Sequence, residues 1–455
     1  MFDRRPVGTH WCPTRTRPES HWYFDPLLPA SCMEFSTAWD DELRSFVDEL
    51  CRFETTAGDE AAAQQWLADI LEDWGFETYR WEAKAEALAE HPSFPDDPAE
   101  LETANRPSVG GVLEFGDPDA GKTLVLNGHV DVVPPGNGWK GDPFEPRWSD
   151  SDADETGETL TARGATDMKS GLAACVFAAR HLASTEPAFD GRLVVESVVG
   201  EEEGGIGAAA AALENPYPFS RDAAIVAEPT QCRPVIATEG SLMKRLRLEG
   251  RSAHAATRWH GESVLPPFER IRGAFDDLET ERGERVTHPL YEEFPIPWPV
   301  CVGRVEAGNW ASSVPDELIA ELRIGVAPGE TVDEVEREFE QRLAEIVADD
   351  PFFDSNPPEF DRFSIQFEPA ETDADEPVVR AVQEAMETME LPETEPRGAT
   401  YGADSRHYVR AGIPTVLFGP GDIQQAHFPE ESIEWAEVLT ASETIAEAAT
   451  VFLAD

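Results

Sequence analysis

The apolar run Thr123–Leu126 leads into Gly128-His129-Val130-Asp131-Val132-Val133-Pro134. A short apolar run that stops at small and polar residues reads as a buried strand ending at a site. An α/β sheet presents its chemistry at such strand ends. Asp131 lies two residues beyond His129, on the same face of an extended chain. A carboxylate there can accept the other ring N–H of a metal-bound histidine and set its tautomer. One His-x-Asp alone fits a packed histidine beside a turn aspartate equally well. Four further acidic or histidine positions, each following an apolar run, change that weighting. Leu160–Arg163 leads to Asp167, which by itself would read as a helix N-cap. Val194–Val199 ends in Gly200-Glu201-Glu202-Glu203-Gly204-Gly205. Three adjacent carboxylates at the end of a buried strand would raise at least one pKa unless a cation sits among them. Ala224–Ala227 ends in Glu228, and Thr415–Phe418 leads through a loop to His427.

Two histidines and several carboxylates thus converge on one sheet edge. Nitrogen and oxygen ligands without cysteine suit zinc, with cobalt or manganese as substitutes. The carboxylates suffice for two ions ~3.5–4 Å apart sharing one bridging group. A glutamate beside a ligand supplies the proton acceptor that hydrolysis at such a centre needs. His91, His181, His260, His288 and His407 lack this setting and read as surface or packing residues.

The elements that must position these groups follow from periodicity. Apolar residues at helical spacing mark helices over 40–53 and 59–74, the second stopping at Gly75. Strands are expected over 76–81, 109–115 and 123–128. Helix 168–184, strand 192–199, helix 205–214 and strand 223–227 then alternate, which predicts an α/β domain with a largely parallel sheet. From about 235 to 370 the pattern changes. Strands over 241–249, 299–306 and 316–326 flank helices near 267–282 and 331–348, a small α+β unit. Helix 375–390, strand 414–418 and a terminal helix 435–453 restore the first style. The expected organisation is one domain from 33–234 and 371–455, with a second domain inserted over 235–370. Residues 85–108 read as a surface excursion and 149–158 as a solvated acidic loop, because the spacing of a calcium loop is missing. Residues 1–32 carry few acids and no periodicity. They read as a disordered extension, or as sequence ahead of a true start at Met33.

Composition bounds the partners. The net charge is −54, from 90 acidic and 36 basic residues. Such self-repulsion destabilises a compact chain in dilute buffer, whereas at molar salt the Debye length falls to ~3 Å. The excess is spread along the chain and reads as adaptation to a salt-filled cytoplasm. It argues against nucleic acid and anionic membranes as partners. No apolar stretch reaches the ~18 residues of a membrane span. Six scattered cysteines without a C-x-x-C pair fit a reducing compartment.

In combination the motifs GHVDVVPPGNGW, RGATDMKSG, GEEEGGIGA, AEPT, GRSAHAATRWHG, VPDEL…APGE, GADSRHY and the late His427 resemble one family. It is the zinc amidohydrolases and exopeptidases that include acetylornithine deacetylase, succinyl-diaminopimelate desuccinylase, aminoacylase and glutamate carboxypeptidase. The resemblance runs from about residue 40 to the C-terminus. It implies two zinc ions: His129 and Glu228 on the first, Glu202 and His427 on the second, and Asp167 bridging. It implies Asp131 as the carboxylate orienting His129 and Glu201 as general base. The inserted domain would be a lid that forms a homodimer, with His254 stabilising the oxyanion across it. Arg406 would hold a substrate carboxylate. Ser312 and Ser313 stand where many members carry a substrate-contacting asparagine, which leaves the side-chain specificity open. The implied activity is hydrolysis of the amide bond of an N-acyl amino acid, with a dipeptidase or carboxypeptidase as the alternative. A catalytically silent small-molecule-binding protein is the reading from another class; both the base and all five ligand positions are present, which weighs against it.

Overall fold

The computed structural model describes residues 35–95, 97–149 and 157–455. The expectations for residues 1–32 and for most of the acidic loop at 149–158 lie outside the described residues.

Four strands form the parallel centre of a nine-stranded sheet. In spatial order they are Gly191–Val198, Lys122–His129, Ala223–Val226 and Thr415–Leu417. Antiparallel strands Pro107–Phe115 and Glu77–Glu82 extend one side. Val235–Thr238 extends the other, flanked by Ala370–Glu371 and Arg397–Ala399. Side chains alternate between the faces of a strand, and here both faces are apolar. Leu124, Leu126, Leu193, Val195 and Ile225 join the larger cluster, beneath helices Phe35–Cys51, Ala61–Asp73, Ser170–Ser184, Pro377–Thr388 and Trp435–Ala454. Val125, Val194, Val198 and Ala224 meet the opposite layer, where helices Ile206–Leu213 and Ser405–Arg410 contribute Ala208 and Tyr408. A sheet covered on both faces is the setting in which parallel strands are stable.

The second sheet is antiparallel, in the order Val300–Ala307, Glu317–Val326, Gly240–Glu249, Glu359–Arg362. Its apolar face packs on helices Leu265–Arg285 and Val332–Asp349 through Ile271, Phe275, Leu278, Val335 and Phe339. The second helix starts at a capping box between Thr331 and Glu334, which satisfies two otherwise unpaired amides. Two details differ from the periodicity. Glu359–Arg362 adds a fourth strand, too short to show alternation. Val235–Thr238, placed by composition in the inserted unit, pairs in the large sheet, so the chain changes sheets at Glu239.

A third, small sheet joins Arg147–Trp148, Thr159–Thr161 and Ser432–Glu434. It brings the segment after His427 against the segment before Asp167. Among the described residues no helix is long and apolar enough to cross a membrane.

Candidate active site

The four central strands point the same way, so their C-terminal ends share one edge. His129 ends its strand, Glu201 and Glu202 follow Val198, Glu228 follows Val226, and the loop after Leu417 returns with His427. Asp167 sits in a tight turn, Ala165–Lys169, ahead of helix Ser170–Ser184, with an extended backbone (φ −119°, ψ 97°). The N-cap position of that helix is Lys169, so Asp167 is not its N-cap.

These residues form two triads. One ligand atom from each of His129, Asp167 and Glu228 lies within 4.8 Å of the other two, and the same holds for Asp167, Glu202 and His427. Asp167 belongs to both. Its Oδ1 is 3.1 Å from His129 Nε2 and its Oδ2 is 3.5 Å from His427 Nε2. His427 Nε2 also lies 3.1 Å from the Glu202 carboxylate. With His129 Nδ1 donating to the Asp131 carbonyl at 2.9 Å, the Nε2 lone pair faces the Asp167 carboxylate. Lone pairs in that relation need a proton or a cation between them.

The electrostatics point the same way. Burial, followed by Glu228, pushes the Glu201 carboxyl well above the usual range. Burial does the same to Glu228, with Asp167, Asp404 and Glu202 adding to it. Burial would lower His129, but Asp167, Asp131 and Glu228 push it well up. Asp167, Glu201, Glu202 and Glu228 together carry four negative charges when ionised, which two divalent cations would balance. Five oxygen and nitrogen side chains, one of them a shared carboxylate, and no thiolate fit a pair of hard or borderline divalent ions.

A cavity of about 350 Å³ opens on this cluster. Asp167, Glu201, Glu202, Glu228 and His427 line one part of it. Ser241, Arg323, Phe367, Thr400, Tyr401, Gly402 and Ile423 line the rest. Glu201 stands in this cavity but in neither triad.

Asp131 orients His129 differently from the expectation. Its carbonyl takes the ring N–H, while its carboxylate is 3.7 Å from Nδ1 and accepts the Glu202 amide at 3.1 Å. Arg406 is not in the cavity. It is buried, donates to the Gly204 and Ala403 carbonyls, and lies 4.0 Å beneath the Phe367 ring. The expectation that it meets a substrate carboxylate is corrected by that packing. His254, Ser312 and Ser313 sit together at the tip of the second sheet, where the His254 and Ser313 backbones pair and Ser312 accepts the Ala255 amide. His254 is exposed there. His407 is buried against Phe94 and Gly204, a packing residue as expected.

Sequence reasoning missed Arg323. Its neighbours Leu322 and Ile324 face the core of the second sheet, so alternation along Glu317–Val326 puts Arg323 on the opposite face, an available signal. Arg323 donates to Glu239 and to the Thr400 carbonyl, both at 3.2 Å.

Known proteins resemble this chain in sequence and in fold. N-formyl-4-amino-5-aminomethyl-2-methylpyrimidine deformylase of Halalkalibacterium halodurans is 26% identical over 435 residues, 89% of this chain and 93% of that protein. Acetylornithine deacetylase of Myxococcus xanthus is 28% identical over 366 residues, 80% and 88% of the two chains. A dinuclear metal-binding M20 peptidase of Bacillus subtilis shares the fold, with a TM-score of 0.62 at 15% identity over 92% of this chain and 99% of that one. The sequence pattern of peptidase family M20/M25/M40 matches residues 125–450, a span that holds every residue of both triads and Glu201. The chain belongs to that family, and is a metal-dependent hydrolase of amide bonds.

Proposed function

We propose that this enzyme removes a small, uncharged acyl group from an N-acylated amine that carries a carboxylate, with two zinc ions in the shared-aspartate centre. The observation that carries the reading is Glu201, a carboxylate in the cavity that belongs to neither triad and is free to move a proton. His129, Asp167 and Glu228 would hold one ion, and Asp167, Glu202 and His427 the other. Divalent ions so held supply Lewis acidity, which acidifies water and polarises an amide carbonyl. Glu201 takes the proton of the attacking water and passes it to the leaving nitrogen. Arg323 meets the substrate carboxylate, and His254 donates to the oxyanion, where one such donor is typically worth ~10²–10³ in rate.

Two features support an uncharged acyl group. Phe367 covers Arg406, so a group lying against that wall meets a ring in place of a guanidinium. The two curated relatives above are named for removing formyl and acetyl groups. A dipeptidase or carboxypeptidase is the second reading, favoured by Arg323, which suits any free carboxylate. His254 reaching a site from a twin subunit is supported by its own exposure and by other exposed apolar residues of the inserted segment, Val305 on the edge strand Val300–Ala307 and Trp259 and Trp310 outside it. The acid excess supports function in a salt-rich cytoplasm.

The test is a substrate panel with zinc or cobalt at high salt: formyl-, acetyl- and succinyl-amino acids against dipeptides. Preference for the first two supports the proposal. Faster cleavage of dipeptides replaces it with the second reading. No hydrolysis by a fully loaded protein leaves a binding protein.

A further inference from the structure

We propose that Glu431 is a positioning residue for the two-ion centre, fastening the turn that carries Asp167 to the loop that carries His427. The inference rests on the proposed metal centre. Glu431 is fully buried and does not line the cavity, so it acts through other residues.

Its carboxylate takes four hydrogen bonds. Oε1 accepts the amides of Thr166 at 2.8 Å and Asp167 at 3.0 Å. Oε2 accepts the amide of Gly164 at 3.0 Å and Arg163 Nη1 at 2.6 Å. An ionised carboxylate offers about four lone-pair sites, so its accepting capacity is fully used. The Glu431 carbonyl accepts the Ala162 amide at 3.2 Å, and the Ser432 carbonyl accepts the Thr166 hydroxyl at 2.8 Å. The segment that leads into the shared ligand is thereby held at Ala162, Arg163, Gly164, Thr166 and Asp167 by these two residues.

Arg163 extends the tie. Its Nη2 donates to the Pro135 carbonyl at 3.3 Å and the His427 carbonyl at 3.4 Å. Pro135 lies on the loop that leaves His129 and Asp131. Three ligand-bearing loops therefore meet at one buried ion pair. His427 needs the support, because its φ is +64°, a region that a residue with a side chain adopts uncommonly. Lys169, also buried, donates to the Phe53 carbonyl at 2.8 Å and adds a second positive charge near Glu431. Ligands of a metal are commonly oriented by such outer partners, whose loss typically costs ~10–100-fold in metal affinity.

Glu431→Gln keeps the shape but places an NH₂ group among four donors. At least one amide or the Arg163 bond is then lost. The readout is ion affinity, measured by titrating metal-free protein with zinc against a chromophoric chelator, beside the melting temperature of the metal-free form. Affinity for at least one of two ions should fall ~10–100-fold, and excess metal should restore part of the turnover number. A residue with only a structural role would lower the melting temperature and leave ion affinity in the folded protein unchanged. Two equivalents bound with wild-type affinities would overturn the proposal. Should Glu431→Gln not fold, Arg163→Lys decides. A lysine retains the charge but cannot reach Glu431, Pro135 and His427 together; wild-type ion affinities in that variant overturn the proposal as well. A wild-type protein that binds no divalent ion would instead sink the metal centre itself.

Discussion

Glu201 and Glu202 are adjacent, both face the cavity, and have opposite assignments, so paired substitutions test the site most directly. Glu202 belongs to the second triad, 3.1 Å from His427, with its amide fixed by Asp131. Glu201 belongs to neither triad, and burial beside Glu228 raises its affinity for a proton, as suits a base. Glutamine is nearly isosteric with glutamate, so each variant removes charge and basicity with little change in packing. Glu201→Gln should keep both ions and lose ~10²–10⁴ in turnover number. At 1.36 kcal/mol per factor of ten, that is about 2.7–5.4 kcal/mol of transition-state stabilisation. KM should change far less, because the base does not hold the substrate. Glu202→Gln should instead lose an ion, with activity that rises as metal is added. Elemental analysis of each variant, together with initial rates across a zinc titration, separates the cases. If Glu201→Gln loses an ion while Glu202→Gln retains both and is inactive, the roles are reversed. If Glu201→Gln turns over at the wild-type rate, the general-base argument is wrong.

Burial pushes the Glu239 carboxyl up to about 8 although Arg323 lies 3.2 Å away. The unfolded chain releases this proton near pH ~4.3, so the contribution to stability is present below that and is lost as pH rises to about 8. Glu239→Gln should flatten the fall in stability over this window, by at most about 1.4 kcal/mol per pH unit, and parallel unfolding profiles for the two proteins would refute the linkage. With a net charge of −54, structure should weaken as potassium chloride is diluted from molar levels; equal circular-dichroism melting temperatures in dilute buffer and at molar salt would refute salt adaptation. For His254, co-refolded His254→Ala and Glu201→Gln chains should regain one working site per mixed dimer, whereas mixed dimers that form without activity would exclude action across subunits.

The clustering of the candidate ligands was legible because a parallel sheet leaves a metal little choice of position. Each candidate follows an apolar run, and the runs align only if their ends share an edge. Charge adds a second signal: Glu201 to Glu203 beside a buried strand need a counter-ion, whatever the fold. The position of Arg406 was not legible. It lies on the short helix Ser405–Arg410, and a motif states which residue stands there without stating which way the helix presents it. Here the side chain turns inward beneath Phe367, a residue thirty-nine positions earlier in sequence. Arg323 shows the converse. It carries no motif of its own, and the alternation of Leu322 and Ile324, a signal left unread, sets it opposite the core of the second sheet, toward the cavity. The short strands Glu359–Arg362 and Ser432–Glu434 were missed for a third reason. Three or four residues with one apolar side chain have no period, and only long-range pairing makes them strands.

What periodicity hides most completely is how the ligand loops are joined, because the joints use backbone atoms that every residue possesses. Asp131 was expected to act through its carboxylate on His129. Instead its carbonyl orients the histidine of one triad while its carboxylate holds the amide of Glu202 in the other. One residue thus couples the two triads through two different groups. Glu431 repeats the device from the far side, gripping the amide of the shared ligand Asp167. Since Asp167 contributes to both triads, a displacement of its turn would be felt by both proposed ions, whereas a displacement of Glu228 would be felt by one. Asp131→Asn should therefore disturb the second triad more than the first, because the carbonyl bond to His129 survives and the charged acceptor for Glu202 is lost. Zinc titration of the variant beside the wild type reads this: affinity at the Asp167–Glu202–His427 triad should fall while affinity at the His129–Asp167–Glu228 triad holds. If instead the ion on His129 is lost first, Asp131 orients that histidine through its carboxylate after all.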